Sequence, residues 1–296
     1  VKMALVSGMM AAGMRVRDIG LALSPMAYFA QFDLDVPCVA MVTASHNDNG
    51  WTGVKMGANR PLTFGPDEMG KLKDIVLNAR FKTREGGSYQ FIDDFPARYI
   101  KDLTNRPKLK RKLRVVAACG NGTAGAFAPK VLEAIGCEVI ALDCELDHTF
   151  PKYNPNPEDM KMLHAMRDEV LRTKADVGLG FDGDGDRCGV VDNEGDEIFA
   201  DKVGVMLARD ISALHPGSTF VVDVKSTGLF ATDPDNDPLT FTVLQSTTNG
   251  TLLGSPPFLT YEPAVNFFGN DTLTFKANDG QTDSVIGVVT FTMLPV

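Results

Sequence analysis

Hydrophobic and polar positions follow two different patterns along the chain, and the change comes close to residue 230. Before it, short apolar runs alternate with longer stretches in which apolar side chains recur every three or four positions. The short runs predict buried strands, and the periodic stretches predict helices that pack on them. Such an alternation is typical of α/β domains.

The first hundred residues contain four predicted helices and three predicted strands. The helices are expected at about 1–13, 26–34, 66–79 and 93–103, and the strands at 15–19, 38–43 and 53–57. The strand Cys38–Thr43 is nearly all apolar, which predicts a place inside a parallel sheet. The polar stretch 105–112 is predicted to be a linker.

A second set of elements begins at residue 113. Strands are expected at 113–119, 138–142, 176–181, 188–192 and 197–199, and helices at 123–135, 157–172 and 201–214. One more strand, at 219–224, opens a third unit that does not develop. We therefore expect two successive α/β domains.

The last 66 residues have no helical periodicity. Short alternating strands are expected at 239–244, 250–253, 259–261, 272–276 and 285–292, and Gly, Pro, Asn and Asp separate them. This pattern predicts a small antiparallel β-sandwich.

Charge differs between the two parts of the chain, and charge, hydropathy and cysteine content narrow the class of protein. The chain has a net charge of -9; residues 1–230 carry 28 basic and 31 acidic groups, and residues 231–296 carry seven acidic groups and Lys276 alone. The acidic balance argues against nucleic acid as the main partner. No apolar run reaches about 18 residues, so no membrane-spanning helix is predicted. Five cysteines without C-x-x-C spacing predict reduced thiols and a cytoplasmic protein.

The segment Asp182-Gly-Asp-Gly-Asp-Arg187 carries the strongest chemical signal. Three carboxylates follow an apolar strand, and the intervening glycines let the backbone curl until all three meet at one cation. Hard oxygen ligands on a loop suit Mg²⁺. An EF-hand is excluded, because its sixth and twelfth positions need Gly and Glu and are Arg187 and Asn193 here. The alternative is a solvated Asp/Gly turn, in which the carboxylates would repel one another.

A second candidate site is Thr43-Ala-Ser-His-Asn47, at the end of an apolar strand, where ligands of α/β sheets bind. Ser45 is a nucleophile or a turn residue. Ser45 and His46 are adjacent, so their side chains are expected to point different ways and not to form a triad. Lys55, on the next strand, is an acid/base group, a phosphate contact or an exposed strand lysine.

Two other segments have competing interpretations. Gly120–Gly125 follows a strand and opens a helix, and Asp143 ends the next strand, as in a dinucleotide-binding fingerprint. An NAD-dependent oxidoreductase is therefore one hypothesis, and an ordinary strand-to-helix turn is the other. In the tail, the acidic segment 233–238 is a Ca²⁺ site or a solvated linker.

These motifs together resemble the α-D-phosphohexomutase family, the phosphomannomutases and phosphoglucomutases. The resemblance rests on five segments in this order: Thr43-Ala-Ser-His-Asn47, Gly53-Val-Lys55, Gly120-Asn-Gly122, Asp182-Gly-Asp-Gly-Asp-Arg187 and Val221-Val-Asp-Val-Lys225. The last 66 residues contain Asn249-Gly-Thr-Leu252, Leu259-Thr-Tyr-Glu-Pro263 and Ala277-Asn-Asp-Gly280, and through these segments they resemble cadherin-like and bacterial immunoglobulin-like modules. The implied fold is α/β, with two mutase-type α/β domains with mixed sheets followed by a small antiparallel β-sandwich.

The implied domain boundaries are 1–106 for mutase domain I, 107–215 for mutase domain II, 216–230 for the opening strand of a truncated domain III, and 231–296 for the sandwich. The family's first strand and an N-terminal basic residue would precede Val1, and Thr52 stands where the family has Asn. The unfinished sheet edge at 221–224 predicts self-association.

The resemblance also implies a mechanism. Ser45 would carry a phosphate that, with Asp182, Asp184 and Asp186, holds Mg²⁺. Phosphoryl transfer would then move a phosphate between C1 and C6 of mannose or glucose phosphate through a bisphosphate. By the same resemblance, Lys55 would be the acid/base group, Arg187 would grip phosphate and His46 would line the loop.

The family's third and fourth domains carry the sugar-recognition and main phosphate-binding loops, and neither occurs in residues 231–296. We therefore expect weak turnover. The tail resembles extracellular modules whereas hexomutases are cytoplasmic, which suggests a fusion. The rival hypothesis is a non-catalytic surface or adhesion protein with a vestigial mutase part.

Overall fold

The structure is a computed structural model that describes residues 1–48, 50–60, 62–105, 109–220, 231 and 238–293. The chain forms two compact units, Val1–Ile198 and Phe199–Val296. Residues 221–224 of the predicted strand 219–224, and residues 233–237 of the acidic segment 233–238, lie outside the described residues. The self-association expected at 221–224 therefore stays a prediction.

The first unit begins with the elements that surround residues 44–48, the loop that contains Ser45 and is here called the serine loop. In chain order they are α1 (Lys2–Ala11), β1 (Arg15–Asp18), α2 (Ser24–Asp33), β2 (Cys38–Thr43), β3 (Gly53–Ala58), α3 (Pro66–Leu77), β4 (Ser88–Phe91) and α4 (Phe95–Thr104). Three of these helices have a proline at their first or second position: Pro25, Pro66 and Pro96. There, a missing N–H does no harm.

The sheets of this half differ from the sequence expectation. β2 pairs antiparallel with β3, with Thr43 opposite Gly53, so the prediction that β2 lies inside a parallel sheet is wrong. Every residue of β2 keeps some exposure, so its apolar run does not signal burial on both faces. β4, which pairs parallel with β1, was not predicted: its alternation of polar and aromatic residues is only four residues long, and all four residues are exposed.

The second half of this unit contains a five-stranded mixed sheet. Its elements are β5 (Arg114–Ala118), a 3₁₀ turn (Thr123–Ala126), α5 (Ala128–Ala134), β6 (Glu138–Leu142), α6 (Met160–Thr173), β7 (Val177–Phe181), β8 (Cys188–Asp192) and β9 (Glu197–Ile198). The strand order is β6-β5-β7-β8-β9; β6, β5 and β7 are parallel, and β8 and β9 run antiparallel to their neighbours.

The helix predicted at 123–135 is divided in the structure. A 3₁₀ turn ends at Ala126, Phe127 adopts φ -123°, and α5 starts at Ala128 with Pro129 in its first turn. Proline lacks the N–H that a continuous helix needs at this position, so the break has a local cause.

One apolar core joins the two halves of the first unit. Met26 of α2 and Phe95 of α4 are fully buried and share a cluster with Cys119, Ala124 and Phe127 of the second half. A close-packed core transmits position between the segments that it connects. The loops that follow β2 and β7 are therefore held at a defined separation.

The second unit contains a helix and the predicted antiparallel strands. The elements are α7 (Ala200–Leu214), β10 (Thr240–Gln245), β11 (Gly250–Ser255), β12 (Phe258–Pro263), β13 (Gly269–Asn278) and β14 (Gly287–Met293). They form the sheets β10-β13-β14 and β11-β12 around Leu273 and Phe275. Across the described residues of the whole chain, no helix combines the length and apolar character that crossing a bilayer requires.

Candidate active site

The serine loop begins where β2 ends. Ser45 adopts φ +54°, in the left-handed region that non-glycine residues seldom occupy, and its N–H donates to Thr43 Oγ1 at 2.8 Å. Such strain persists only where the surroundings hold it, and it concentrates at functional sites. The turn brings Ser45 Oγ within 3.3 Å of His46 Nδ1. The expectation that these two side chains point apart is therefore wrong.

The segment 182–187, here called the metal loop because a cation is predicted there, follows β7. Its backbone curls as its glycines predict. The backbone N–H groups of Asp186 and Arg187 donate to Asp182 Oδ1 at 3.0 and 3.1 Å. Gly185 has φ +70°, and a Cβ there would come within 2.8 Å of Leu23. The loop consequently turns all three aspartates toward one point, with carboxylate oxygens within 4.8 Å of one another.

The serine loop and the metal loop are in direct contact. Ser45 Oγ lies 3.4 Å from Asp182 Oδ2, although the two residues are 137 positions apart in the chain. A Cβ at Gly183 would come within 2.4 Å of the carbonyl oxygen of Ser45. Only glycine permits this approach, so the two loops meet because residue 183 has no side chain.

Asp184 is the most heavily bonded of the three carboxylates. Its Oδ2 accepts hydrogen bonds from Thr43 Oγ1 at 2.7 Å, from Ser24 Oγ at 2.8 Å and from Lys55 Nζ at 2.7 Å. Lys55 Nζ also lies 2.5 Å from Asp186 Oδ2. Groups from α2, β2 and β3 thus meet at one carboxylate of the other half.

These contacts set the pKa values of the site in opposite directions. Burial, together with the charges of Asp184 and Asp186, raises the pKa of Asp182 to about 6. Burial would also raise the pKa of Asp184, but hydrogen bonds from Lys55, Thr43 and Ser24 outweigh it and lower that pKa. Burial opposes the charge of Lys55, and its bonds to the two aspartates prevail and raise its pKa. Lys55 is therefore an ammonium at neutral pH.

The donor set fits a hard divalent cation. Asp184 Oδ1 is buried and has no hydrogen-bond partner, and it belongs to the one cluster of metal-ligating side chains found among the described residues. A buried carboxylate oxygen without a partner is costly, and a cation removes that cost. Carboxylate oxygens on a glycine-bearing loop suit Mg²⁺, so the residues predicted to hold it are suitably placed.

Arg187 lies at the rim of this cluster. Its guanidinium is 3.5 Å from Glu158 Oε1, while its backbone N–H holds Asp182. The predicted phosphate grip therefore needs the side chain to leave Glu158, and it stays a prediction.

A cavity of about 300 Å³ opens beside the serine loop. Its lining includes Ser45, Thr43, Lys55 and Trp51, and Trp51 is largely exposed. The volume is at the lower end of the range for small-molecule sites. Ser45 thus lines an open cavity of a size that a small molecule can enter.

Three consecutive N–H groups of the glycine turn after β5 are engaged within the protein and are not free for a dinucleotide pyrophosphate. The N–H of Asn121 donates to Asp143 O at 2.7 Å, that of Gly122 to Cys119 O at 2.8 Å, and that of Thr123 to Gly183 O at 3.0 Å. A short 3₁₀ turn follows it, whereas the anion site of the fingerprint is the start of an α-helix. The geometry therefore disfavours the NAD hypothesis and assigns this turn to the support of the metal loop.

Three contributors were missed by sequence reasoning. Ser24 had no motif to mark it, and Thr43 was noted only as part of its motif. Asn154 donates to the carbonyl of His46 at 2.5 Å from 108 positions away. The run Asn154-Pro-Asn-Pro157 was the only available signal, because paired prolines indicate a fixed, extended backbone.

Family comparisons agree with this geometry. Residues 1–83 match phosphoglucomutase/phosphomannomutase alpha/beta/alpha domain I, residues 97–195 match domain II of the same family, and residues 205–292 match a bacterial Ig domain. A phosphomannomutase/phosphoglucomutase of Pseudomonas putida is 37% identical over 227 residues, which are 75% of this chain and 48% of that protein.

Two further relatives show the same coverage. A phosphoglucomutase of Neisseria meningitidis is 33% identical over 219 residues, 74% of this chain and 47% of that protein. The crystal structure of a phosphoglucomutase/phosphomannomutase family protein from Burkholderia thailandensis has a TM-score of 0.71 at 34% identity, and covers 76% of this chain and 50% of that one. The chain spans about half the length of the curated relatives that it matches.

Fold and site together define an α/β protein with a hydroxyl held against a carboxylate cluster. The chain belongs to the phosphoglucomutase/phosphomannomutase family through its first two domains, and a bacterial Ig domain follows them. The family resemblance and the fold class expected from the motifs are confirmed.

Proposed function

We propose that the first unit transfers a phosphoryl group between Ser45 and a hexose phosphate. The observation that carries this proposal is the 3.4 Å approach of Ser45 Oγ to Asp182 Oδ2 within the carboxylate cluster. Phosphoryl transfer depends on charge neutralisation and on in-line placement of the attacking oxygen. The substrate class is mannose or glucose 1- or 6-phosphate, as in the named relatives.

The reaction has two balanced halves. First, a sugar hydroxyl oxygen attacks the phosphorus carried by Ser45; the bond from phosphorus to Ser45 Oγ breaks, and the proton lost by the sugar hydroxyl is regained by Ser45. Second, Ser45 Oγ attacks the phosphorus at the other end of the bisphosphate and releases the sugar oxygen, which takes a proton. The net result moves a phosphate between C1 and C6.

The side chains have separate roles in this proposal. Asp182, Asp184 and Asp186, with the phosphate on Ser45, would hold Mg²⁺, which supplies charge neutralisation for the transferred group. Lys55 is the acid/base candidate, and its raised pKa keeps it protonated at neutral pH, so that it has a proton to give to the departing oxygen. Arg187 would bind phosphate with its fork of donors, and His46 lines the loop.

We infer that complete mutase turnover by this polypeptide is weak. Residues 205–292 match a bacterial Ig domain, and the matches to the mutase family cover two of its domains. Substrate positioning supplies much of the rate in such reactions. The rival is a surface or adhesion protein with a vestigial mutase part, which the Ig match favours, and it predicts no chemistry at Ser45.

The test is the phosphorylation of Ser45 in the full chain. Incubation with glucose 1,6-bisphosphate and Mg²⁺ should add about 80 Da to the intact mass, mapped to Ser45. Ser45→Ala should remain unmodified. Mg²⁺ should raise the thermal midpoint of the unmodified chain but not that of Asp184→Asn, since a ligand stabilises only the state that binds it. A wild-type protein that takes up no phosphate and whose thermal midpoint does not change with Mg²⁺ would support the surface-protein hypothesis.

We infer a cytoplasmic location for the first unit. All five cysteines are free thiols, as expected in a reducing compartment, although two are exposed. Bacterial Ig-like modules usually work outside the cell, so the match over residues 205–292 favours an extracellular location instead. Fractionation of expressing cells decides between them: recovery of the chain outside the cytoplasmic fraction would contradict this inference.

A further inference from the structure

Asn154 connects the second half of the first unit to the backbone of the serine loop. Its Nδ2 donates to the carbonyl oxygen of His46 at 2.5 Å. A carbonyl oxygen only accepts, so the amide nitrogen must face it and the orientation of the side chain is settled by chemistry. No other side chain of the second half, among the described residues, hydrogen-bonds to the backbone of residues 44–48.

The segment that carries Asn154, Tyr153–Pro157, is here called the strap. At one end, Tyr153 Oη donates to Asp143 Oδ2 at 2.5 Å. In the middle, Pro155 is fully buried, and its Cα would lie 2.9 Å from a Cβ at Gly120. At the other end, Pro157 packs on Gly189 of β8. The strap is therefore held in place by contacts at both of its ends and in its middle.

The same strap touches the metal loop. Pro155 Cγ would lie 3.5 Å from a Cβ at Gly183, the residue that packs on the carbonyl of Ser45. One five-residue segment thus contacts both the loop that carries the nucleophile and the loop that carries the carboxylates. It fixes their relative position.

The bonding of Asn154 is incomplete in a way that points to function. Its Oδ1 is buried and has no hydrogen-bond partner. An unsatisfied buried acceptor is unfavourable, so the contact that orients this side chain is the bond from its Nδ2. The side chain is therefore oriented for the bond to His46 at the expense of its own oxygen.

The serine loop needs such an external tie. Ser45 holds a left-handed φ of +54°, and its other backbone bonds are local: Ser45 N to Thr43 Oγ1, and Asn47 N and Nδ2 to Ala44 O. Local bonds preserve the shape of a turn but not its direction relative to another domain. The tie from Asn154 supplies that direction.

We propose that Asn154 is a positioning residue for Ser45: it holds the serine loop at the distance from Asp182 that phosphoryl transfer requires. This inference rests on the proposed function. Small misplacements of a reacting group have large effects on rate. Loss of the tie should therefore lower the rate of Ser45 phosphorylation far more than it lowers the stability of the protein.

The experiment compares Asn154→Asp and Asn154→Ala with Asn156→Ala in the full chain. Asp keeps the size of Asn and places an acceptor against the His46 carbonyl, and Ala removes the tie without adding charge. Asn156 is the matched control, since it lies in the same strap and its Oδ1 accepts from Glu158 N at 3.1 Å. The readouts are the rate of Ser45 phosphorylation by glucose 1,6-bisphosphate with Mg²⁺, the ³¹P resonance of the phosphoserine, and the thermal midpoint.

We expect both Asn154 variants to be phosphorylated about 10- to 100-fold more slowly than wild type. Their phosphoserine resonance should shift or broaden, while Asn156→Ala matches wild type in both. Wild-type rate and resonance in the Asn154 variants would overturn the inference, as would a loss of rate that only follows the unfolded fraction. A wild-type chain that takes up no phosphate would instead contradict the proposed function itself.

Discussion

Lys55 Nζ lies 2.7 Å from Asp184 Oδ2, so an ammonium on strand β3 neutralises a carboxylate in the metal loop of the other half. Asp184 is almost wholly buried, while about a quarter of the Lys55 side chain is exposed. A carboxylate in such a place depends on its partners for its charge. This ion pair therefore joins strand β3 to the metal loop and also stabilises the charge of Asp184.

Replacing Lys55 with Met should affect both chemistry and stability. Loss of the ammonium leaves Asp184 with hydroxyl donors alone, so we expect a loss of about 1–3 kcal/mol in the free energy of unfolding. The rate of Ser45 phosphorylation should fall about 100-fold or more, as for loss of an acid/base group. Lys71→Met, in exposed α3, is the control for charge removal. Denaturant titration and intact-mass kinetics are the measurements, and an unchanged rate would refute the acid/base role.

Gly183→Ala should separate the two loops. The added Cβ would lie 2.4 Å from the carbonyl oxygen of Ser45, a backbone atom that cannot rotate away. We expect a loss of about 1–3 kcal/mol in stability and slower phosphorylation of Ser45. Gly204→Ala in α7 is the matched control, because nothing lies within 4 Å of its new methyl group, and it should gain about 0.5–1 kcal/mol. Equal stability and equal phosphorylation rates in Gly183→Ala and Gly204→Ala would contradict the close approach of the two loops.

The raised pKa of Asp182 predicts an unusual pH dependence for the metal-free protein. With a folded-state pKa of about 6, the native state holds a proton between about pH 4 and 6 that the unfolded chain releases. The contribution of this group therefore increases as pH falls through 6, by about 3 kcal/mol in all, and is lost as pH rises. Denaturant titrations in chelator at pH 5 and 7 measure it.

Asp182→Asn removes this titration, and Asp168→Asn, an exposed carboxylate, should leave it intact. In the presence of Mg²⁺ the dependence should reverse, because the ligand must be deprotonated and the cation is bound less tightly below pH 6. The same pH profile for wild type and Asp182→Asn would count against the raised pKa.

Asp271 should give the C-terminal unit the opposite response to acid. Burial alone would raise its pKa, but hydrogen bonds from Thr248, Asn249 and Thr272 N–H and from Tyr261 Oη lower it to about 2. A depressed pKa stabilises the folded state above the pKa of the unfolded chain, near 4, and this contribution is lost as pH falls toward 2.

Amide hydrogen exchange, expressed as protection factors for β12 and β13 in the full chain, follows this loss. Wild type should lose protection between about pH 4 and 2, and Asp271→Asn should show a smaller change over that range. Retained protection at pH 2 in wild type would contradict the assignment.

Local sequence was sufficient for most elements and for the metal loop. Periodicity located the seven helices among the described residues to within a few positions, although one of them is divided, and the three aspartates could be read together because they lie within five residues. It failed for β4, whose alternating aromatic residues are few and exposed, and for β2, whose apolar run was taken as burial on both faces. Apolar patterning reports burial, and neither strand follows that rule.

The amino-acid sequence by itself determined the family and predicted which residues carry the chemistry, since motif order placed Ser45, Lys55 and Asp182 in one family's pattern. Only the tertiary structure decided how they meet: Ser45 with Asp182 across 137 positions, and Asn154 with His46 across 108. Such contacts leave no periodicity in the chain, because they arise where two halves that are distant in sequence share one core. Local interactions form each loop, and long-range packing sets the distance between them.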